Sequence, residues 1–380
     1  MSRRQVIELG GVVATAAVVE AGVPGCSAVV REDVADGPAT ALPEPVASIL
    51  RDAALAPSSH NSQPWRVVVS SAERLSIRAD LSRALADVDP DARELRLSLG
   101  AFVENLVLAA GARGLAGRVD LAAGGDLGRP IAEIHLEPAP PSRYPLERLR
   151  RRCTVRRGLR RTALSGQLVA GLIAAAPSAV GFVPAEGPLA GSIREATLGA
   201  FRQQTLRDSA QRELARWIRF SNGAARAHRD GLTTASMGIG GLSGWFVRSF
   251  YDEDDVMKAS FRSRSIDLTS TQVREAGGWF IVVGRGEEPG SIVDAGRAYE
   301  RLALLARERG VGLHPMSQAL EEEPYRAQLL ARLGRGGVPH LIVRAGLIDA
   351  YPEPATLRRR VSAFASLDPD GGATRSSEAT

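Results

Sequence analysis

Pro57-Ser58-Ser59-His60-Asn61-Ser62-Gln63-Pro64-Trp65 carries the densest polar chemistry in the chain. Two prolines bracket short side chains that offer both hydrogen-bond donors and acceptors, as the edge of a heterocycle with N–H and C=O groups requires. The run lies between a helix-like stretch that begins near Pro45 and closes at Ala53-Ala54-Leu55-Ala56, and an apolar strand at 66–69. Trp65 anchors the strand side. A helix-to-strand loop rich in turn formers accounts for the serines and the asparagine, but not for the whole string.

Part of this neighbourhood recurs. Ala174-Ala175-Ala176-Pro177-Ser178 closes a second helix-like stretch beginning near Ser165, about 120 residues after the first. Each half later carries an apolar segment with Leu, Val and Ala at helical spacing, 97–114 in one and 294–310 in the other, ended by a glycine stop. Strands are expected at 66–69, 131–136, 279–283 and 340–343. No regular alternation of strand and helix is present, so the pattern predicts an α+β fold. Its expected parts are a signal and linker over 1–44, a first half over 45–145, a second over 146–366 and a tail over 367–380. Within the second half, 220–264 has no counterpart in the first. Its Gly238-Ile239-Gly240-Gly241-Leu242-Ser243-Gly244 core reads as flexible, with Trp245, Phe246 and Phe250 following. A lid over a pocket and packing against a neighbouring domain explain that insertion equally well.

The composition narrows the class. With 44% hydrophobic and 24% charged residues among 380, the chain has the make-up of a globular enzyme. Its net charge of +5 rests on arginine, since Lys258 is the single lysine. The basic residues are scattered and aromatics are scarce, which argues against a nucleic-acid partner. Cys26 and Cys153 and the five histidines show no metal-ligand spacing, so no metal site is expected. Lys258 follows Met257 without the glycines of a P-loop.

The opening string closely resembles the Pro-Ser-Ser/Gly-x-Asn-x-Gln-Pro-Trp signature of the nitroreductase-like flavoproteins, and the resemblance extends over most of 45–365. More narrowly, the chain looks like the Acg-type branch, whose members carry two fused nitroreductase-like halves. Ala79-Asp80 with Asp89-Pro90, Arg93-Glu94-Leu95, Glu213-Leu214-Ala215-Arg216-Trp217-Ile218, Arg229-Asp230-Gly231 and Leu341-Ile342-Val343-Arg344-Ala345-Gly346 add to it. The resemblance implies a nitroreductase-like fold in which two tandem halves form a pseudo-dimer, and one bound FMN. It implies flavin contacts from Pro57, Ser58, Ser59, His60, Asn61 and Gln63.

Arg152-Cys153-Thr154-Val155-Arg156, inside the basic run 148–161, is similar to the family's Arg-x-Ser/Thr-x-Arg phosphate motif. Two guanidinium forks and a hydroxyl at a helix start suit a dianion, which places Arg152, Thr154 and Arg156 on the phosphate. Arg358 and Arg360 fall where the family uses Lys-x-Arg near the same group. His314-Pro315-Met316-Ser317-Gln318 matches the segment that passes over the flavin ring, although a lone His314 is more often structural than catalytic. The equivalents of Arg152, Thr154 and Arg156 in the first half are Glu32, Val34 and Asp36, which cannot cradle a phosphate. Conversely, Pro177-Ser178 is followed by Ala179-Val180-Gly181-Phe182, with no Asn, Gln or Trp. Each half thus keeps one part of a site, and one composite FMN site per chain is expected.

The implied activity is transfer of electrons from NAD(P)H to a nitroaromatic or quinone-like acceptor, with no catalytic side chain assigned. The alternative is an FMN-sequestering protein under a closed lid. At the N-terminus, Ser2-Arg3-Arg4-Gln5-Val6-Ile7, the apolar 9–19 and Val23-Pro24-Gly25-Cys26 resemble a Tat export signal with a lipoprotein-type cysteine. A cell-envelope location, lipid-anchored or not, and a cytoplasmic one both remain open. Fusion of the halves suggests a monomer.

Overall fold

The computed structural model describes residues 42–333 and 336–368. The expected export signal, Cys26, Glu32, Val34, Asp36 and most of the tail lie outside them. Helix α1 (Val46–Ala53) precedes strands β1 (Trp65–Ser71) and β2 (Arg74–Ala79), the long helix α2 (Arg93–Gly111), β3 (Leu115–Leu121) and β4 (Ala132–Pro138). There follow α3 (Glu147–Arg151), α4 (Gly166–Ile173), β5 (Val180–Pro184), α5 (Pro188–Leu206) and α6 (Asp208–Trp217). Short β6 (Ile218–Arg219), α7 (Asn222–His228) and β7 (Leu232–Thr233) lead to α8 (Gly241–Phe250), α9 (Glu253–Met257) and α10 (Ala259–Gln272). The chain closes with β8 (Gly278–Gly284), α11 (Pro289–Glu308), β9 (Val311–Pro315), α12 (Tyr325–Leu333), β10 (Val338–Leu347) and β11 (Ala365–Leu367).

The mixed α+β character expected from the sequence is present, and the four strands and two long apolar helices foreseen there all form. Two main sheets result, one ordered β11-β1-β2-β4-β3 and the other β5-β8-β10-β9. In the first, β1 alternates Trp65, Val67 and Val69 inward with more exposed neighbours, as a strand covered on one face should. In the second, β10 is buried almost continuously, because helices cover both faces. Phe280, Val282 and Val343 meet α11 on one side; Trp279, Ile281 and Ile342 meet Ile193 of α5 and Leu329 of α12 on the other.

The two long helices cross at glycines. A Cβ on Gly100 of α2 would fall 2.0 Å from the carbonyl oxygen of Val293, and one on Gly296 of α11 would fall 2.1 Å from that of Leu97. Glycine is therefore required on both helices for their backbones to touch. One turn further on, buried Glu104 of α2 takes Arg297 at 3.0 Å and Arg301 at 2.8 Å from α11. Each helix also reaches into the other's core: Leu97 joins the second, Val293 and Leu304 the first.

Chain order and sheet membership part company at the C-terminus. Strand β11 runs back to pair in parallel with β1, Val67 opposite Ala365. Trp65 stacks on Phe102 of α2 at 4.9 Å, and Phe364 meets the same ring edge-on at 6.1 Å. In the 220–264 insertion the glycine core is less open than expected, since α8 begins at Gly241. Phe246 and Trp245 close on Phe250 at 5.0 and 5.8 Å. The 152–156 segment also departs from expectation: α3 ends at Arg151 and the chain runs on extended, with the Val155 N–H donating to Leu313 O at 2.9 Å. β-Branched Thr154 and Val155 favour that conformation over another helical turn.

Gly296→Ala and Gly100→Ala should each destabilise the protein by about 1–3 kcal/mol, because the clash is with backbone that cannot move aside. Gly171→Ala in exposed α4, where an added Cβ meets nothing within 4 Å, should instead be neutral or stabilising by up to about 1 kcal/mol. Urea unfolding of the three variants checks both signs.

Candidate functional site

The first motif sits on a backbone that few sequences adopt. His60, Asn61 and Gln63 have φ of 51°, 52° and 54°, the left-handed region that costs a non-glycine residue about 1 kcal/mol or more. Tertiary hydrogen bonds hold it there. Ser58 Oγ accepts from the Gln63 N–H at 2.9 Å, and Ser59 Oγ donates to Glu94 at 2.8 Å.

Asn61 and Gln63, expected at a ligand's edge, are engaged by the chain itself. Asn61 Nδ2 donates to Gly231 O at 3.1 Å and Leu357 O at 3.2 Å, while its Oδ1 accepts from Arg358 at 3.0 Å. Gln63, wholly buried, donates to Arg229 O at 2.8 Å and accepts the Arg359 N–H at 2.8 Å. Both amides thus clasp the 229–231 and 357–359 segments against the loop, where their donors and acceptors are better matched than an apolar wall would allow. Asp230, in turn, takes Arg219 at 2.6 Å and also binds Arg83.

The first four residues of the loop face a cavity of about 600 Å³. Pro57, Ser58, Ser59 and His60 line it together with Thr154, Arg156 and the run His314, Pro315, Met316, Ser317 and Gln318. The cavity therefore unites the three motif segments that are far apart in sequence. The insertion contributes Phe220, Met237, Ile239, Tyr251 and Phe261 to the wall. Three candidate arginines stay out of it. Arg152 is buried, 3.3 Å from Glu300 and donating to Leu55 O at 3.0 Å. Arg358 holds Leu55 O, Ala56 O and Asn61, and Arg360 is exposed.

Charge is divided around the walls. Arg156 donates to Ser236 O at 2.7 Å, and among the described residues no carboxylate lies within ion-pair distance of it. Burial depresses its basicity. His60 is pushed down to about 4 by burial and by Arg156, and its buried Nδ1 has no hydrogen-bond partner among the described residues. His314 is held well below its ordinary value by burial, Arg344 and Arg156, so both histidines are neutral at pH 7. Elsewhere the cavity is lined by Asp89, Glu94 and Glu321. Asp89 caps α2 through the N–H groups of Glu94 and Leu95 at 3.0 and 2.9 Å, yet burial and Glu94 raise it to about 6. Burial and Glu94 also raise Glu321, which accepts from Gln204 at 2.8 Å. Arg93 lies 3.2 Å from Glu94 and 3.5 Å from Glu321.

Sequence reasoning quoted Asp89, Glu94 and Arg344 as parts of family strings without placing them at the site, and it did not single out Glu321, Tyr299 or Gln211 on the cavity wall. Arg344 is fully buried, a charge inside an otherwise apolar strand.

No protein-family model matches the chain. Over 330 residues it is 28% identical to two proteins of Mycobacterium tuberculosis, covering 84% of this chain and 90% of theirs. They carry the names "Putative NAD(P)H nitroreductase MT3217" (strain CDC 1551) and "Putative NAD(P)H nitroreductase Rv3131" (strain H37Rv). Among solved structures, a nitroreductase-like family protein from Bacillus cereus overlaps 57% of this chain and 91% of its own, at 14% identity and a TM-score of 0.33. The FMN-dependent nitroreductase NfnB from Mycobacterium smegmatis, in complex with NADPH, overlaps 60% and 95%, at 15% identity and a TM-score of 0.35.

The raised carboxyl of Glu321 makes stability depend on pH. The folded group keeps its proton to higher pH than the unfolded one, whose ordinary value is 4.5. Its contribution is therefore fully present below that value and is lost as pH rises through the folded one. Glu321→Gln should gain stability at pH 8 relative to wild type and little at pH 5, read from urea midpoints at the two pH values.

Proposed function

We propose that the chain binds one FMN in this cavity and acts as a nitroreductase-type oxidoreductase, taking electrons from NAD(P)H and passing them to a nitroaromatic or quinone-like acceptor. The observation that carries the reading is the convergence of 57–60, Thr154 with Arg156, and 314–318 on one cavity. The names of the relatives support it.

The donor set suits such a group. The volume falls in the range of cofactor pockets, with long apolar walls and a few convergent polar groups. Arg156 is a cation that pairs with no carboxylate among the described residues, and it shares the cavity with the Thr154 hydroxyl and the neutral His60 and His314. Arg156 is the one candidate arginine on the cavity wall, where Arg157 and Arg264 also stand, and Thr154, Ser58 and Arg156 are the side chains placed to hold the polar part of the cofactor. When bound, FMN supplies a two-electron carrier that accepts hydride and releases electrons to an acceptor. The chain's own contribution is to orient that carrier, to keep positive charge where negative charge accumulates, and to exclude water with the aromatic wall of 220–264.

One composite site per chain follows from the missing halves of the motifs, and the tandem arrangement of two related halves in an Acg-type, monomeric pseudo-dimer is part of the same reading. So is export by the twin-arginine N-terminus to the cell envelope, with Cys26 as the point of lipid attachment. The second reading, FMN held without turnover, is favoured by one feature: Phe220, Met237, Tyr251 and Phe261 wall the cavity on the side of the insertion.

Anaerobic titration separates the two. A reductase is expected to carry close to one FMN per chain, with a flavin spectrum that bleaches on NADH or NADPH. A spectrum that bleaches only with dithionite would establish the sequestering reading. Two FMN per chain would overturn the single composite site, and a protein that takes up no FMN would overturn both readings. Arg156→Ala should weaken FMN binding by roughly tenfold or more, as loss of a charge-assisted bond in a buried site does; recovery of free-FMN fluorescence on dilution measures it.

A further inference from the structure

Arg344 is in no ion pair among the described residues, although the more distant Glu275 carboxylate supports its charge. It sits on β10 opposite His314 on β9, and its side chain is fully buried. Its guanidinium donates to the carbonyls of Gln272, Glu275 (3.2 Å) and Arg156 (2.9 Å), and lies 3.1 Å from His314 Nδ1. Among the described residues no carboxylate lies within 4 Å of it, so a charge is buried on backbone carbonyls and one imidazole, an expensive arrangement for packing alone.

The contact dictates where the imidazole proton resides. A guanidinium has only donors, so the nitrogen facing it must present a lone pair. His314 Nδ1 is therefore the acceptor, and the proton of the neutral ring is on Nε2. A second proton would point an N–H at the Arg344 fork, which keeps the ring neutral. Nε2 makes no hydrogen bond to any described residue, and His314 lines the cavity, so this N–H is directed to whatever the cavity holds. Arg156, beside it, is likewise a donor, and the Thr154 hydroxyl on the same cavity can donate too. One guanidinium on the cavity wall and another behind the ring disfavour a cation at this nitrogen and favour an electron-rich oxygen.

We propose that His314 is a fixed hydrogen-bond donor of the cavity, locked as the Nε2–H tautomer by Arg344, and that it takes an oxygen of a conjugated ring that gains negative charge on reduction. Resting on the function proposed above, that oxygen has two sources, the carbonyl edge of bound flavin or the oxygen of the acceptor. His314 gives up no proton in this role. Arg344 is a positioning residue, acting through the histidine.

Nitrogen-15 spectra of histidine-labelled protein, with the His314 signals identified by their loss in His314→Gln, read the tautomer directly. The expected result is a single Nε2-protonated ring; an Nδ1–H ring or a rapidly exchanging mixture overturns the proposal even if FMN binds. The second measurement compares His314→Leu, which removes the donor, with His314→Gln, whose amide N–H stands in for it. If the oxygen is the flavin's, the leucine variant binds FMN about tenfold more weakly or shifts its midpoint potential down by about 30 mV, the tenfold equivalent for a two-electron couple. If it is the acceptor's, FMN affinity and potential stay unchanged while KM for a quinone acceptor rises about tenfold. In either case glutamine restores most of the effect. A folded leucine variant with all three quantities unchanged overturns the proposal, and should that variant not fold, the tautomer decides. Wild-type protein that takes up no FMN removes the functional reading and the ring oxygen with it, whatever the tautomer, so the two failures are told apart.

Discussion

Everything in this molecule leans on the contact between two long helices at Gly100 and Gly296. Each helix covers one sheet, so the distance between their axes sets the distance between the sheets, and backbone contact makes that distance the smallest a helix pair can reach. The Glu104 carboxylate, shared by Arg297 and Arg301, then fixes the register of the pair. Because Leu97, Val293 and Leu304 each extend into the opposite core, neither core is complete without the other helix. The cavity borrows from the same pair: Glu94, Leu97, Ser98 and Ala101 come from one helix and Tyr299 from the other.

A second constraint closes the architecture. The C-terminal segment crosses back to the first sheet, and Arg358 and Arg359 secure it by bonds to Leu55, Ala56, Asn61, Gln63 and Trp65. Those bonds also hold the left-handed conformations at His60, Asn61 and Gln63, which the loop alone would relax. The polar string therefore has two jobs. Ser58, Ser59 and His60 face the cavity, whereas its two amides keep the strained backbone in place. The cavity wall carries the Arg156 guanidinium and two neutral histidines as well as the carboxyl groups of Asp89, Glu94 and Glu321.

Much of this was legible beforehand, and the reasons differ from element to element. Strands β1, β4, β8 and β10 were readable because runs such as 279–283 and 340–343 are apolar, β-branched or aromatic, and bounded by turn formers. Helices α2 and α11 were readable because their apolar residues keep helical spacing for several turns. The 152–156 segment was misread as a helix start, since a phosphate motif by analogy says nothing about local propensity, and Thr154 with Val155 prefers to be extended. Helix α8 was hidden by its glycines, which signal a flexible turn until the aromatic cluster of Trp245, Phe246 and Phe250 gathers behind them.

The sequence by itself determined the mixed class of the fold and the positions of the long helices and central strands, properties of local period and residue type that a linear string records. Segments 152–156 and 314–318 were marked through the family resemblance instead. Only the tertiary structure decided which side chains of those segments face inward. Asn61, Gln63, Arg152 and Arg358 carry the right chemistry for a ligand, yet carbonyls and carboxylates from distant parts of the chain reach them first. The same holds for the carboxyl group of Glu321 and for the tautomer of His314, since burial and the approach of Glu94 or Arg344 are facts of packing. A buried hydrogen bond is fixed by which groups come within about 3 Å in space, and separation along the chain carries no record of that.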